Sequence, residues 1–348
     1  MNIFSAAPAA RPVSPAAAGQ VRVAIAGATG YAGQELLRLL ARHPFARITA
    51  ATSSGAGSAS RTLPALARLW NGVVTPLVTA DLEAESDVVF LALPDDASAE
   101  IAPRLVEAGL RVIDLSGTFR LRDDAARQRW YPASGARRIL RPVYGLTELY
   151  RSALAGARLI ACPGCYPTAT LLAIGPLVHA NLVTGDIVID AKSGVSGAGK
   201  TPSERTHFSE CHGSVSAYGV FNHRHGVEIE QELGREVTFV PHLVPLDRGI
   251  LATIYTRLRP GVTEGDVRSA LEAAYLDAPF VRLGGSNLPE IKHVSHTNFC
   301  DIGWRLDAGS GRLVIVSCLD NLVKGAAGQA IQNFNVALGL DEREGLWA

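Results

Sequence analysis

A glycine-rich turn between a strand and a helix is the feature that most constrains this fold. An apolar run, Val21–Ala26, leads into the segment GATGYAG, and a helical pattern of leucines follows up to Leu40. In that context glycines permit a tight turn and let the backbone approach a pyrophosphate, while the helix N-terminus offers free N–H groups. The GxxGxxG spacing is a variant of the dinucleotide-binding fingerprint, and a plain tight turn is the alternative. The predicted cofactor-binding residues in this segment are Gly27, Thr29, Gly30, Tyr31, Ala32 and Gly33.

The end of the second predicted strand indicates which nicotinamide cofactor binds. NAD-selective sites usually place Asp or Glu there, to hold the ribose 2′-hydroxyl. This chain has Ser53 and Ser54 instead, with Arg61 close by in sequence. Hydroxyl groups and an arginine accept a 2′-phosphate that a carboxylate would repel. We therefore expect NADP(H), with Ser53 at the ribose, although the two serines also suit a simple turn.

The order of the predicted elements indicates two different domains. Before residue 164, apolar strands such as Asp87–Leu93 alternate with helical segments, which is typical of a parallel, doubly wound Rossmann-type sheet. After Pro176 the predicted strands come closer together, which indicates an α+β domain with a more antiparallel sheet. A last helix, Asn321–Leu338, is expected to return to the first domain. The predicted division is a flexible tail at 1–20, a nucleotide domain at 21–164 and 319–348, and a catalytic domain at 165–318.

Composition limits the class of function. The 348 residues carry 33 Lys and Arg against 33 Asp and Glu, so the formal charge is zero and neither nucleic acid nor a membrane is an expected partner. Hydrophobic residues make up 47% and charged residues 19%, which is enough apolar material for sizeable cores. We predict neither a signal peptide nor a membrane anchor. Five cysteines form too sparse and odd a set for a disulfide scaffold, so a reducing, cytoplasmic location is expected.

The segment Cys162-Pro-Gly-Cys165 is compatible with three chemistries: a thiol redox pair, half of a metal site, or a single nucleophile. A second C-x-x-C is missing and the other three cysteines are scattered, so no metal is predicted. Cys165 follows a Pro-Gly turn at the start of a predicted helix, Pro167–Ala173. The helix dipole lowers the pKa of a thiol placed there from about 8.5 toward neutrality, which favours a nucleophile.

A basic cluster, His223-Arg224-His225, is followed by Glu228, whose carboxylate could orient an imidazole. Histidine beside a thiolate serves as an acid/base, and arginine holds carboxylates or phosphates through two hydrogen bonds. A solvated basic loop is the alternative interpretation. Arg120 follows a strand of the nucleotide domain, at the sheet edge where ligands bind, and is therefore a candidate substrate ligand together with Arg224.

The segment GVSGAGKT, residues 194–201, fits the phosphate-loop pattern of nucleotide kinases and follows a predicted strand. Pro202 comes directly after it, and the residues beyond lack helical periodicity. We therefore favour a flexible glycine-rich loop whose N–H groups contact an anionic ligand, with a kinase as the alternative.

Taken together, these residues resemble the N-acetyl-γ-glutamyl-phosphate reductase family of the semialdehyde dehydrogenase group. The most specific match is IACPGCYPTA, residues 160–169, and the other matching blocks are 190–199, 223–228, 241–249 and 320–333. The resemblance implies Cys165 as nucleophile and His223 as acid/base, with Glu228 orienting it. It also implies substrate contacts at Ser193 and cofactor contacts at Ser196, Gly197 and Asn321.

The chain departs from the family pattern at a few positions. Cys162 stands where the family often has Asn, which raises the hypothesis of a Cys162–Cys165 disulfide that would switch the enzyme off. A family histidine is missing near Asp95, and Thr118 stands where the family has Asp. These differences bear on details of the phosphate and nicotinamide contacts.

The resemblance implies a complete reaction. NADPH would reduce N-acetyl-L-glutamyl 5-phosphate, a small acyl phosphate, to the 5-semialdehyde and phosphate through a cysteine thioester, in arginine biosynthesis. It further implies a catalytic and dimerisation domain of the semialdehyde/glyceraldehyde-3-phosphate dehydrogenase type, and a homodimer or homotetramer. The alternatives are a lysine-pathway reductase of a carrier-linked acyl phosphate and a thiol redox sensor. Which of His223, His225 and His242 lies nearest the sulfur stays open.

Overall fold

The computed structural model describes residues 19–53, 59–132 and 142–347. The predicted tail, apart from its last two residues, and Ser54 lie outside these ranges. The described residues form two compact units. The nucleotide unit contains those up to Cys162 together with Ala330–Trp347, and the catalytic unit is Pro163–Gln329.

A seven-stranded sheet forms the centre of the nucleotide unit, with strand order β3-β2-β1-β4-β5-β7-β6 and every pair parallel. The strand order reverses between β1 and β4, which is where a doubly wound sheet opens a crevice for ligands. The predicted Rossmann-type class is confirmed. The strands are β1 Val21–Ala26, β2 Ala46–Ser53, β3 Thr75–Pro76, β4 Val88–Leu91, β5 Arg111–Asp114, β6 Val143–Tyr144 and β7 Leu159–Ala161.

Helices connect these strands and bury the sheet. All four residues of β4 and the last four of β1 are inaccessible to solvent, as expected for a parallel sheet covered on both faces. The helices are α1 Tyr31–Leu40, α2 Thr79–Glu85, α3 Asp95–Glu107, α4 Asp124–Trp130 and α5 Thr147–Leu154, with a 3₁₀ turn at Pro64–Leu66.

The catalytic unit contains a second seven-stranded sheet, in the order β12-β13-β14-β11-β8-β10-β9. The pairs β8–β10 and β12–β13 are parallel and the others antiparallel, which confirms the predicted α+β class. Its strands are β8 Val183–Gly194, β9 Ser216–Ala217, β10 Thr238–Val244, β11 Ile250–Leu258, β12 Val281–Gly285, β13 Cys300–Asp307 and β14 Arg312–Leu319.

The central helix of this unit, α6 Cys165–His179, is buried from Tyr166 to Leu177. A helix that is apolar on every side belongs in a core, and α6 packs against β11, β14 and a second helix, α8. The remaining helices are α7 Phe208–Cys211, α8 Arg224–Leu233 and α9 Glu264–Ala274. Shorter turns lie at Val195–Ala198, Glu204–Thr206 and Ile291–His293, and a π-helical turn at Val323–Ala327.

The chain returns to the nucleotide unit through helix α10, Gly328–Ala337. Asn335 accepts a hydrogen bond from the His43 ring at 2.8 Å, and Arg151 pairs with Glu342 at 2.7 Å. The unit boundary falls after Gln329, so residues 319–329, which the sequence prediction placed in the nucleotide domain, pack in the catalytic unit.

Candidate active site

The glycine turn of the nucleotide unit has the shape that a pyrophosphate site requires. Gly27 has φ +90°, and a Cβ on it would lie 2.1 Å from the carbonyl oxygen of Ala92. A Cβ on Gly33 would lie 2.1 Å from the carbonyl oxygen of Gly27, so both positions need glycine. Gly30 is the N-cap of α1, and a Cβ on it would lie 3.6 Å from the carbonyl oxygen of Gly27, an ordinary contact. The N–H groups of the first helical turn have no partner within the helix, and such groups favour an anion. These residues therefore fit a dinucleotide.

Ser53, the residue predicted to lie at the ribose, is the last residue of β2 and is buried. The N–H groups of Gly27 and Ala28 both bond to the Thr52 carbonyl at 2.8 Å, so the glycine turn and the end of β2 are held together. Of the residues described here, 50–53 and 59–61 include no Asp or Glu. The exposed Arg61 forms a backbone bridge with Val74 beside this end of the sheet.

Arg120 lies beyond the end of β5, as predicted, but its guanidinium bonds to the backbone. Nε donates to the carbonyl of Cys162 and an Nη donates to the carbonyl of Leu115, both at 2.8 Å, and the residue is only 8% exposed. Beneath it, burial raises the pKa of Asp114 to about 6, opposed by hydrogen bonds from Ser116. In this geometry Arg120 fixes the chain three residues before Cys165.

In the catalytic unit, Cys165 is the first residue of α6, with Gly164 as its N-cap. The thiol is partly exposed, and the helix N-terminus favours a negative charge on it. The π-helical turn passes close by, since a Cβ on Gly325 would lie 2.7 Å from the Cβ of Cys165. Only glycine at 325 allows this approach.

The three candidate imidazoles occupy different environments. A Cβ on Gly164 would lie 2.4 Å from Nε2 of His225, so this ring lies directly against the turn that carries Cys165. His223 caps α8 by accepting the N–H of His225 at Nδ1, 3.1 Å away. Burial, assisted by the charge of Arg224, lowers the pKa of His223 to about 4. His242 instead directs Nδ1 toward a carboxylate oxygen of Asp190, 3.1 Å away.

Glu228 is fully buried on α8, and its Oε1 accepts the N–H of Gly164 at 2.9 Å. The carboxylate therefore fixes the turn before Cys165. The predicted role of Glu228, orienting His223, stays a prediction. The hydrogen bond connects the carboxylate to Gly164, the residue before Cys165, across 64 residues of sequence.

Two phenols near the thiol were not singled out by the sequence. Tyr166 donates to the carbonyl of His242 at 3.0 Å, and the Tyr218 hydroxyl donates to that of Tyr166 at 3.4 Å. Burial raises the pKa of both phenols, and the charge of Cys165 contributes to each shift, so both remain protonated beside the thiol. Tyr218 follows the two-residue strand β9, and no local motif marks it.

The structure brings together four residues that the family resemblance implied as ligand contacts: Ser193, Ser196 and Gly197 in the loop at 193–199, and Asn321. Asn321 accepts the N–H of Gly249 at 2.7 Å and donates to the Ser196 hydroxyl at 2.9 Å. A Cβ on Gly197 would lie 2.8 Å from the hydroxyl of Ser193, which is buried. Asn321 therefore holds this loop in place through its side-chain hydrogen bonds. Arg224 is exposed at the first position of α8.

The kinase and redox alternatives lack structural support. In the described stretch 200–211, only a 3₁₀ turn and the one-turn helix α7 occur, and no helix begins at Lys200 as a phosphate loop requires. All five cysteines, each within the described ranges, are free thiols. Cys162 is 1% exposed, and burial raises the pKa of its thiol to about 12, which opposes disulfide exchange.

Metal ligation and membrane crossing find no support in the described part of the chain. No group of three or more His, Cys, Asp or Glu side chains there is placed to hold a metal ion. Among the same residues, no helix combines the length and the apolar character needed to cross a membrane.

Two family models match the two units. Residues 22–157 match the semialdehyde dehydrogenase NAD binding domain, and residues 165–321 match the semialdehyde dehydrogenase dimerisation domain. The first match indicates an oxidoreductase that uses a nicotinamide cofactor, and the second supports assembly into oligomers.

Curated relatives match along almost the whole chain. The N-acetyl-gamma-glutamyl-phosphate reductase of Desulforapulum autotrophicum is 47% identical over 337 residues, which cover 94% of this chain and 98% of the relative. The proteins of the same name from Brevibacillus brevis and Geobacillus thermodenitrificans are 45% and 46% identical, with the same coverage.

Solved structures share the fold. Aspartate semialdehyde dehydrogenase II complexed with ASA from Vibrio cholerae aligns with a TM-score of 0.71 and 18% identity, covering 92% of this chain and 99% of that one. Aspartate semialdehyde dehydrogenase with NADP from Candida albicans gives 0.63 and 18%, covering 91% and 98%. These structures show the fold alone. The family models and the curated relatives confirm the resemblance found in the sequence, and the chain belongs to the N-acetyl-gamma-glutamyl-phosphate reductase family of semialdehyde dehydrogenases.

Proposed function

We propose that this chain catalyses the NADPH-dependent reduction of N-acetyl-L-glutamyl 5-phosphate to N-acetyl-L-glutamate 5-semialdehyde and phosphate, a step of arginine biosynthesis. The observation that carries the proposal is the position of Cys165 at the start of α6, with Nε2 of His225 against the preceding glycine. A thiol at a helix N-terminus beside an imidazole is the arrangement that covalent acyl transfer needs. The relatives that match over 94% of the chain carry the name of this reaction.

The first step requires only residues of the catalytic unit. The Cys165 thiolate attacks the acyl carbon, the bond from that carbon to the phosphate oxygen breaks, and a thioester remains on the sulfur. Glu228 holds the backbone of Gly164, so the thiol starts from a fixed position. Bound NADPH supplies the hydride that reduces this thioester. The chain's imidazole then protonates the developing oxyanion, and the thiohemiacetal releases the semialdehyde as the carbon–sulfur bond breaks.

We assign the acid/base role to His225 in place of His223, the residue favoured from sequence. The Nδ1 of His223 accepts a backbone N–H, and its pKa of about 4 keeps the ring neutral near pH 7. A neutral ring committed to capping a helix is a poor proton donor, whereas His225 presents Nε2 to the turn that carries the nucleophile. Arg120 and Arg224 stay candidates for the anionic groups of the substrate.

The choice of NADP over NAD is supported by the serine at the end of β2. Ser53 offers a hydroxyl where a carboxylate would repel the 2′-phosphate. The residues Gly27, Thr29, Gly30, Tyr31, Ala32 and Gly33 would hold the pyrophosphate. Ser196, Gly197 and Asn321 would contact the cofactor from the loop that Asn321 pins.

We further propose an oligomeric assembly and a cytoplasmic location. A homodimer or homotetramer is supported by the matched dimerisation domain. A cytoplasmic location is supported by the five free thiols, because the mechanism needs Cys165 reduced.

The reverse reaction tests the function. Wild-type protein, N-acetylglutamate semialdehyde and NADP should give a rise in reduced-nicotinamide absorbance that depends on added phosphate. The carrier-linked aminoadipate semialdehyde is the comparison substrate. Turnover of that aldehyde alone would move the assignment to the lysine-pathway alternative, and turnover of neither would end it.

A further inference from the structure

The proposed substrate carries two anionic groups that lie apart. The phosphate leaves from the acyl carbon, whereas four carbon–carbon bonds separate that carbon from the α-carboxylate, a distance of about 5 Å in an extended chain. A guanidinium suits a carboxylate best, because it donates two parallel hydrogen bonds. The guanidinium of Arg120 already donates to the backbone carbonyls of Leu115 and Cys162, so another arginine is the better candidate for the carboxylate.

Arg205 is an exposed arginine of the catalytic unit, in the turn Glu204–Thr206. Its guanidinium carbon lies 5.2 Å from the centre of the Tyr218 ring, which is a cation–π contact. Within the described ranges, no carboxylate lies at ion-pair distance from this guanidinium. An aromatic ring therefore holds the guanidinium, and its charge remains available to a ligand.

Tyr218 connects this guanidinium to the nucleophile. Its hydroxyl donates to the hydroxyl of Tyr166, 3.4 Å away, and Tyr166 directly follows Cys165. Burial raises the pKa of Tyr218, the charge of Cys165 adds to that rise, and the charge of Arg205 opposes it. Because the phenol lies close to both groups, a substrate chain of about 5 Å can follow it from the sulfur to Arg205.

We propose that Arg205 is a specificity-determining residue, which binds the α-carboxylate of the substrate while Cys165 attacks the acyl carbon. The inference rests on the proposed function and names the part of the substrate that this arginine recognises. The planar guanidinium donates to both carboxylate oxygens at once, which a lysine ammonium cannot do in the same geometry. The protein therefore prefers acyl groups that carry a carboxylate at this distance from the reacting carbon.

Two glutamates near Arg205 give the charge argument an opposite sign to test. Glu204 and Glu210 line the same cavity as Arg205, and among its described lining residues only Arg205 is positively charged. An anion beside Arg205 is attracted by the guanidinium and repelled by both carboxylates. Its affinity should therefore fall when the arginine is neutralised and rise when a glutamate is neutralised.

The test compares two aldehydes in the reverse reaction of the full-length protein with NADP and phosphate. N-acetylglutamate semialdehyde carries the α-carboxylate, and 4-acetamidobutanal is the same molecule without it. The carboxylate preference is the ratio of kcat/KM for the first aldehyde to kcat/KM for the second. Charged hydrogen bonds should make this preference at least about tenfold in wild type.

Arg205→Met should lower kcat/KM about tenfold for N-acetylglutamate semialdehyde and leave kcat/KM for 4-acetamidobutanal within about twofold of wild type. Arg205→Lys should give an intermediate preference, because it keeps the charge and loses the paired hydrogen bonds. Glu210→Gln should increase the preference, because it removes a repelling charge.

A matched control removes a distant arginine. Arg305 is also exposed and lies on β13, near the opposite edge of the sheet from β9, the strand that Tyr218 follows. Arg305→Met should behave as wild type with both aldehydes. An equal loss for both aldehydes in Arg205→Met would mean that the arginine only supports the phenols. Loss of the preference in Arg224→Met instead would assign the carboxylate to that residue. Either result overturns the proposal.

The same assay separates this inference from the proposed function. Wild-type turnover with an unchanged preference in Arg205→Met overturns this inference alone. Absence of turnover with either aldehyde overturns the proposed function and, with it, this inference.

Discussion

The contact between Glu228 and the Gly164 N–H gives the sharpest prediction about positioning. Glu228→Ala removes the acceptor and leaves a buried N–H without a partner, which costs about 1–3 kcal/mol of stability. The same change frees the turn before Cys165, and a misplacement of about 1 Å costs roughly 10² in rate. We therefore expect kcat to fall about a hundredfold while KM changes little.

Glu228→Gln is the matched variant, because its amide oxygen can still accept the N–H of Gly164. Losing the charge from this hydrogen bond costs about 1 kcal/mol, since charge-assisted bonds are about twice as strong as neutral ones. We expect kcat within about tenfold of wild type, because a factor of ten corresponds to about 1.4 kcal/mol, and we expect an unchanged pH–rate profile. Urea unfolding and steady-state kinetics measure both effects. If Gln is as damaging as Ala and one limb of the pH profile disappears, Glu228 acts as an acid or base and the positioning account is wrong.

Three further predictions concern stability, cofactor choice and thiol reactivity. Burial lowers the pKa of His43 below its ordinary 6.5, so the unfolded chain binds a proton at a higher pH than the folded protein does. The free energy of unfolding should therefore fall as pH drops below 6.5. In urea titrations, His43→Gln should flatten that dependence. Ser53→Asp should raise the KM for NADPH about tenfold or more relative to the KM for NADH, because the new carboxylate repels the 2′-phosphate. An unchanged ratio of the two KM values would mean that the 2′-phosphate binds away from Ser53. Iodoacetamide should label Cys165 in the folded protein and leave the buried Cys162 unlabelled, as peptide mass mapping would show; equal labelling contradicts its burial.

Features encoded by short segments were predictable from sequence. The turn at Gly27 follows from glycines placed between an apolar strand and a helical pattern, and the structure gives that residue φ +90°. The helix after the Pro-Gly turn was predicted to start at Pro167, within two residues of its observed start at Cys165. Both depend on neighbours in sequence, where propensity and capping decide the conformation.

Features that depend on distant contacts were not predictable. His223 and His225 are two residues apart in sequence but have different surroundings. The first caps α8, and the second lies against Gly164. Tyr218 donates to the Tyr166 hydroxyl and directly follows β9, which pairs with β10 over only two residues without a recognisable sequence pattern. The catalytic unit extends to Gln329, and within it the turn at Gly325 lies against Cys165, a close approach across 160 residues of sequence that no local pattern indicates.

The central claim is that Cys165 carries the acyl group between the redox step and phosphate, and rapid quenching tests it most directly. Wild-type protein is mixed with N-acetylglutamate semialdehyde and NADP without phosphate. We predict a burst of one NADPH per subunit, an N-acetylglutamyl group on the peptide containing Cys165, and then only slow turnover until phosphate is added. Steady NADPH formation with no adduct, or an adduct on another residue, would contradict the account.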